Sequence, residues 1–340
     1  MIDYLKITIR DPELFKKVWE NPNLIFQSDE ERRVNDEVRT TRKKTYKGLT
    51  FTLYADRLEI TGSLHKYHNE GIHNANDFSF MDSINVVLEL KEIFSLDLKK
   101  CFIENLEFGL NVIPDEPVKN IVVWLKFHER NEFRYYPELQ FAKQAGSYSS
   151  SGKINNYKII KAYAKGLQKF NGQTYGDPNT FRFEIRTKRT KYLTKLNVST
   201  LEDLTTLTTH LILGNELLKE WDNVLLIDKN LPETKKTAKY QSLDFWETCL
   251  NEYRNKFATQ RKRYFKLLEE YPANLHQKIK QLLETKLKTF EYEFEKSGAI
   301  STRLLNDEKT KSGAISTPPE QTSNNKSGAN STYVKRKNLH

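Results

Sequence analysis

Apolar and polar residues alternate with a period of two in three stretches near the middle of the chain. In Thr180–Lys188, Phe181, Phe183 and Ile185 share one parity, and Arg182, Glu184, Arg186 and Lys188 share the other. In Ile103–Ile113 and the residue before it, Phe102, Leu106, Phe108, Leu110 and Val112 read as core, opposite Asn105, Glu107, Gly109 and Asn111. In Asn156–Lys165 the alternation places Tyr157, Lys161, Tyr163 and Lys165 together. Successive strand side chains point to opposite faces, so each stretch is predicted as a strand with one face of reactive or charged groups. A phenol beside a cation, and a carboxylate between two guanidiniums, are the units of interest.

The flanking chain alternates between the two periodicities. Residues 1–10 alternate like a strand, and Asp11–Asn21 reads as a short helix with an acidic first turn. Thr40–Ser63 reads as a meander with a turn at KGLT, and Asp77–Leu98 has helical spacing of Phe80, Ile84, Val87, Leu88, Leu90 and Phe94. Strands are predicted at 102–113, 119–128 and 133–142. The loops SYSSSGKINN and FNGQTYGDPN bracket the tyrosine strand.

Beyond Lys188 the pattern turns helical. Ser199 and Glu202 form a capping-box sequence before an apolar-periodic run to Leu218, and Asp244 with Glu247 opens another that resumes after Pro272 to about Glu295. The heptapeptide KSGAIST occurs at 296–302 and 311–317 and returns as KSGANST at 326–332. This polar composition buries too little apolar surface to order itself, so a disordered tether is expected. The fold expectation is α+β, with antiparallel sheets and packed helices, then a helical C-terminal segment and a disordered tail. The domains expected are a nicking region at 1–198, a helical region at 199–295 for duplex DNA binding or self-association as a homodimer, and a tail at 296–340.

Composition narrows the function classes. A chain of 340 residues with 37% hydrophobic content suits folded units plus a tail. No apolar run approaches the roughly 20 residues of a membrane span, and MIDYLKITIRDPELF lacks a signal-peptide pattern, so a cytoplasmic protein without a membrane partner is expected. Cys101 and Cys249 have no metal-ligand spacing and read as small buried hydrophobes. The net charge of +10 is split evenly between the tail and the rest, so the folded part is only mildly basic. Basic clusters in Arg182–Lys195 and in QRKRYFK at Gln260–Lys266 suit a phosphate track with stacking platforms.

The order LEITGSLHKYHN (58–69), FIENLEFGLNVIP (102–114), KAYAKG (161–166) and FRFEIRTKR (181–189) resembles the replication initiators of filamentous phages of the gene II type, and more distantly the rolling-circle Rep proteins of plasmids. The resemblance covers about residues 55–205. It implies a nickase that cuts one DNA strand at an origin, joins the 5′ end through tyrosine, leaves a 3′-OH primer and later rejoins the strands. Its substrate is single-stranded or hairpin origin DNA. The chain has no Walker motif, so host helicase and polymerase are implied partners. The pattern departs from many tyrosine nickases at His65 and His68, which are three residues apart and fall on opposite faces of a strand. No histidine metal site is assigned. At Ala164 the family often has a polar or acidic residue.

The chemistry assigns Tyr163 as nucleophile with Lys165 as its cation, and Tyr157 is a rival on the same face. A hard divalent ion, Mg²⁺ or Mn²⁺, would take Glu107, Glu184 and Asn111 as ligands. Glu184 between arginines also suits a structural ion pair, and Glu107 a solvated sheet face. Arg182 and Arg186 are expected to grip phosphates, joined in DNA binding by Lys66, Lys161, Lys188, Arg189 and Lys191. No general base is evident. Two other functions fit the same residues: a relaxase or mobilisation protein of an integrative element, and a non-enzymatic origin-binding protein.

Overall fold

A computed structural model of the protein describes residues 1–34, 37–253 and 255–312, with the side chains of 32–39 and 298–312 left out. The chain divides into two compact units, Met1–Glu295 and Lys296–His340. In the second, the described residues to Ser312 are helical; most of the expected disordered tail, including the KSGANST copy, lies outside the described residues.

The first unit opens with β1 (Ile2–Ile9) and α1 (Pro12–Trp19). Asp11 caps α1 through Leu14 N, and Pro12 supplies a first-turn residue that has no amide hydrogen to satisfy. β2 (Ile25–Val34), which was not expected, leads into the expected meander as β3 (Glu37–Tyr46), β4 (Leu49–Leu53) and β5 (Leu58–Ser63). Its turn at Lys47 and Gly48 has φ of 42° and 81°, the left-handed geometry that two-residue hairpins need. Next come α2 (Leu64–His68) and α3 (Phe80–Phe94), the latter opened by a reciprocal Ser79–Asp82 capping box. Then follow β6 (Cys101–Val112), α4 (Val118–Trp124), β7 (Leu125–His128), β8 (Asn131–Glu132), β9 (Arg134–Tyr135), β10 (Ala142–Ala145) and β11 (Ile159–Ala164). A small hairpin, β12 (Lys169–Phe170) and β13 (Gln173–Thr174), precedes β14 (Phe181–Thr187). The rest is α5 (Thr190–Lys195), α6 (Leu207–Trp221), β15 (Val224–Leu226), α7 (Leu243–Asn251), α8 (Lys256–Leu268) and α9 (Leu275–Ser312).

The fold is α+β. Ten strands form one sheet in the order β2-β3-β4-β5-β1-β6-β14-β11-β10-β9, antiparallel at every step, and β15-β7-β8 form a second. β1, β6, β14 and β11 are thus interior strands. The apolar face of β14 is covered by α6: Trp221 lies edge-on to Phe183 at 5.1 Å and to Phe181 at 6.1 Å. Residues on both sides of the expected 198/199 boundary therefore share one core. A second cluster joins Phe127, Leu225, Tyr240, Trp246, Phe257 and Tyr264 beside it. Among the described residues, no helix is long and apolar enough to cross a membrane.

Three local expectations are corrected. The predicted strand at 119–128 is helical to Trp124, because Val118, Ile121, Val122 and Leu125 are buried at helical spacing despite their β-branched character. Phe102 is 45% exposed while Ile103 is buried. The register with β1 slips between Lys6↔Asn105 and Ile7↔Ile103, so Glu104 is an extra residue that inverts the facing of what precedes it. The capping box before α6 is Thr200 with Asp203, one residue later than expected, and it opens a 3-10 turn at Leu201–Thr205.

Candidate active site

The polar parities of the three predicted strands meet on one face. Register sets Gly109, Glu184 and Lys161 in one row across β6, β14 and β11, and Asn111, Arg182 and Tyr163 in the next. Glu107 pairs with Arg186 in a third. Gly109 is required by this arrangement, since a Cβ there would stand 2.4 Å from Glu184 Cβ and 2.5 Å from Phe183 O. Glu184 is thereby seated low against the sheet.

Side-chain bonds tie the rows together. Glu184 Oε1 accepts from Lys161 Nζ at 2.7 Å, and Oε2 accepts from Arg182 Nε at 2.7 Å and from the Tyr163 hydroxyl at 3.0 Å. Lys161 Nζ also donates to Glu107 Oε2 at 3.2 Å, and Arg186 Nε lies 2.9 Å from Glu107 Oε1. Arg182 Nη1 donates to Asn111 Oδ1 at 3.0 Å. Its Nη2 is buried without a hydrogen bond, with Asp3 Oδ2 at 3.6 Å. On the far side of β6, Asp3 of β1 accepts from Asn74 Nδ2 at 2.9 Å through both oxygens, and from Ser63. Asn74 Oδ1 in turn accepts from Lys165 Nζ at 2.8 Å.

Burial makes these charges act strongly on one another. Burial alone would raise Glu184, but Lys161 and Arg182 hold its carboxyl down at about 2. Lys161 is held above its ordinary value by Glu184 and Glu107 against the opposing effect of burial. Burial, and then the charge of Glu184, push Glu107 up. Burial pushes the Tyr163 phenol up, and the Glu184 charge adds to it. Lys165 is lowered to about 8 by burial, with Arg182 reinforcing and Asp3 opposing. His65, on α2, is kept neutral by burial, which lowers it to about 3; its ring stacks on Phe78 at 4.8 Å and its Nε2 lies 2.8 Å from Asn76 Oδ1.

The face is closed from above. Tyr163 is 3% exposed, packed with its cross-strand partner Ala142 of β10 and with Tyr136 and Leu139 of the turn between β9 and β10. The β12–β13 hairpin and the loop after α2 lie over Lys165, with His73 stacked on Tyr175 at 4.0 Å.

Glu107, Glu184 and Asn111 come together as expected, but the set does not fit a divalent metal in this arrangement. Lys161 Nζ contacts both carboxylates, each of their four oxygens faces a cationic nitrogen, and the Asn111 carbonyl is taken by Arg182. A hard cation needs carboxylate oxygens that are free to face it. Among the described residues no three His, Cys, Asp or Glu side chains are placed to hold a metal. The cause is the sequence pattern itself, which sets a cation beside each acid on the same face.

The remaining candidates divide. Lys188, Arg189 and Lys191 are exposed beyond the end of β14, and Lys66 is half-buried on α2. Tyr157 is not on this face: β11 begins at Ile159, and Tyr157 packs edge-on against Tyr192 of α5 at 5.3 Å. Asp3 and Asn74 were not anticipated. Asp3 carries a signal in hindsight, as an acid in phase with the apolar Leu5, Ile7 and Ile9; Asn74 carries none, lying in a polar loop. No protein-family model matches this chain, and no curated protein matches it.

Proposed function

We propose that this protein is a rolling-circle replication initiator that nicks one strand of origin DNA through Tyr163. One observation carries the reading: on a closed polar face, Arg182, which bonds the Glu184 carboxylate that holds the Tyr163 hydroxyl, keeps a buried Nη2 donor without a hydrogen bond. A phosphodiester oxygen supplies the missing acceptor.

In this reading Tyr163 attacks phosphorus, forming a 5′-phosphotyrosine link and releasing a 3′-OH. Glu184 holds the phenol by its hydroxyl and is itself held by Arg182 and Lys161, which is the nucleophile, partner and orienting-group logic of covalent catalysis. Arg182 then neutralises the charge that grows on the phosphoryl oxygens. Arg186, Lys188, Arg189, Lys191 and Lys66 follow the flanking backbone of a single-stranded or hairpin origin. The protein acts in the cytoplasm with host helicase and polymerase, and α6 to α9 supply duplex binding or the contacts of a homodimer.

The test is a denaturing gel of the full chain with end-labelled single-stranded DNA from its own replicon, in Mg²⁺, Mn²⁺ or EDTA, for wild type and Tyr163→Phe. A covalent adduct that disappears in Tyr163→Phe is the expected result. An adduct that survives moves the nucleophile elsewhere. No adduct on either strand leaves a non-enzymatic origin-binding protein as the better reading.

A further inference from the structure

Lys161 and Lys165 sit on one strand and its end, yet their surroundings are opposite. Lys161 is clamped between two carboxylates. Lys165 is 1% exposed and donates only to neutral amide oxygens, Asn74 Oδ1 at 2.8 Å and Gln168 Oε1 at 3.4 Å. Its Nζ lies 5.8 Å from the Tyr163 ring centroid and 5.5 Å from that of Phe170. Burial with neutral partners makes the ammonium less favoured than in a solvated lysine, and the two aromatic faces offset part of that cost.

The charged groups around it act in opposite directions. Asp3 of β1 and Glu184 of β14 favour the ammonium, while Arg182 of β14 and Lys161 of β11 oppose it. His73, from the loop after α2, also feels the lysine and is lowered by burial and then by it. Burial is the larger effect and brings Lys165 to about 8. Glu184, which among the described residues is the group bonded to the Tyr163 hydroxyl, has no such freedom, since both its oxygens are engaged by cations.

We propose that uncharged Lys165 is the general base of the reaction, accepting the Tyr163 phenol proton directly or through one water and returning it to the departing 3′ oxygen. This rests on the tyrosine-nickase reading above. The phenol O–H bond breaks as its proton joins the Nζ lone pair. The phenolate oxygen forms the new bond to phosphorus, and the bond from phosphorus to the 3′ oxygen breaks with its electron pair on that oxygen. The Lys165 ammonium then protonates the 3′ oxygen, so no further reactant is needed. A base whose proton affinity lies near the working pH is the efficient choice for this exchange.

The experiment measures the rate of adduct formation by the full chain on end-labelled single-stranded origin DNA from about pH 6 to 10, for wild type, Lys165→Arg and Lys165→Met. The wild-type rate is expected to rise about tenfold per pH unit and level off near pH 8. Lys165→Arg keeps the charge and Lys165→Met keeps the bulk, so folding of either one suffices; each is expected to lose about 10²–10⁴-fold in rate while still binding DNA, with a rate still climbing at the alkaline end. A variant with the wild-type rate and profile overturns the inference and leaves the nickase standing. Absence of any wild-type adduct removes both. A second readout needs no activity: carbon-13 spectra of the chain labelled at lysine Cε should contain two lysines that titrate near 8, Lys143 and one that is missing in Lys165→Arg. Finding every lysine at its ordinary value also overturns it.

Discussion

Gly109 faces Glu184 across the β6–β14 ladder so closely that a side chain at 109 would begin 2.4 Å from Glu184 Cβ. The neighbouring backbone, Phe183 O at 2.5 Å, cannot rotate aside as a flexible side chain would. Gly109→Ala must therefore push β6 away from β14 or tilt Glu184 off Lys161 and Arg182. Overpacking of this kind costs about 1–3 kcal/mol. A urea-denaturation midpoint equal to wild type would show that the strands stand farther apart than described.

Glu184 ties stability to pH. Its carboxyl is held at about 2 in the folded chain, against an ordinary value of 4.5. The unfolded chain binds the proton first as pH falls, so the contribution is complete above about pH 4.5 and is lost on the way down toward 2. Glu184→Gln leaves Lys161 and Arg182 without their shared acid, and uncompensated buried charge costs about 3–5 kcal/mol. Thermal melts at neutral pH should register that loss. The difference between wild type and Glu184→Gln should narrow as the pH is taken below 4.5; a constant difference would mean that Glu184 is not ionised in the fold.

Three buried histidines act in the same direction at milder pH. His65, His210 and His276 are kept neutral chiefly by burial, at about 3, 4 and 4, against an ordinary 6.5. Below 6.5 the unfolded chain takes protons that the folded chain refuses, so each histidine withdraws about 1.4 kcal/mol per pH unit until its folded value is reached. Urea midpoints should fall between pH 7.5 and 5.5, as about one unit of titration below 6.5 is crossed by all three groups. A flat profile would place these rings in contact with solvent.

The charged face was legible because Phe181, Phe183 and Ile185 alternate without interruption with Arg182, Glu184 and Arg186, and β14 follows that phase to its end. Where an irregularity broke the phase, reading failed: the bulge at Glu104 exposed Phe102, and the strand that begins at Ile159 left Tyr157 outside. The partners of the acids were harder. Alternation reports which residues share a face but not which cations reach which oxygens, so Glu107 and Glu184 read equally well as metal ligands until Lys161 was found between them. Asp3 and Asn74 enter from a strand and a loop remote in sequence, and only sheet order brings them near Arg182 and Lys165.

Lys161 Nζ stands between two carboxylates, 3.2 Å from Glu107 Oε2 and 2.7 Å from Glu184 Oε1. Lys161→Ala removes the ammonium from between Glu107 and Glu184 and leaves two carboxylates facing one another. Mutual repulsion then favours a cation, and hard oxygen donors suit Mn²⁺. Isothermal titration with Mn²⁺ should give a binding event in Lys161→Ala that wild type lacks. Equal binding by both would show that the carboxylates are free to turn toward a metal while the lysine is present.

Trp221 decides whether the strand-rich and helix-rich regions of the chain are separable. Its indole is fully buried against Phe181 and Phe183, and its Nε1 donates to His276 O at 3.0 Å, so one side chain joins β14, α6 and α9. Trp221→Ala removes that contact and leaves the His276 carbonyl without its donor; losses of this size cost about 3–5 kcal/mol. A fragment ending at residue 198 goes further and exposes Phe181 and Phe183 to water. The expected outcome is that residues 1–198 do not fold alone, read as the absence of dispersed amide resonances, whereas 1–295 gives a cooperative melt. A well-dispersed spectrum from the shorter fragment would mean that the charged face is supported from within the sheet, without the helices behind it.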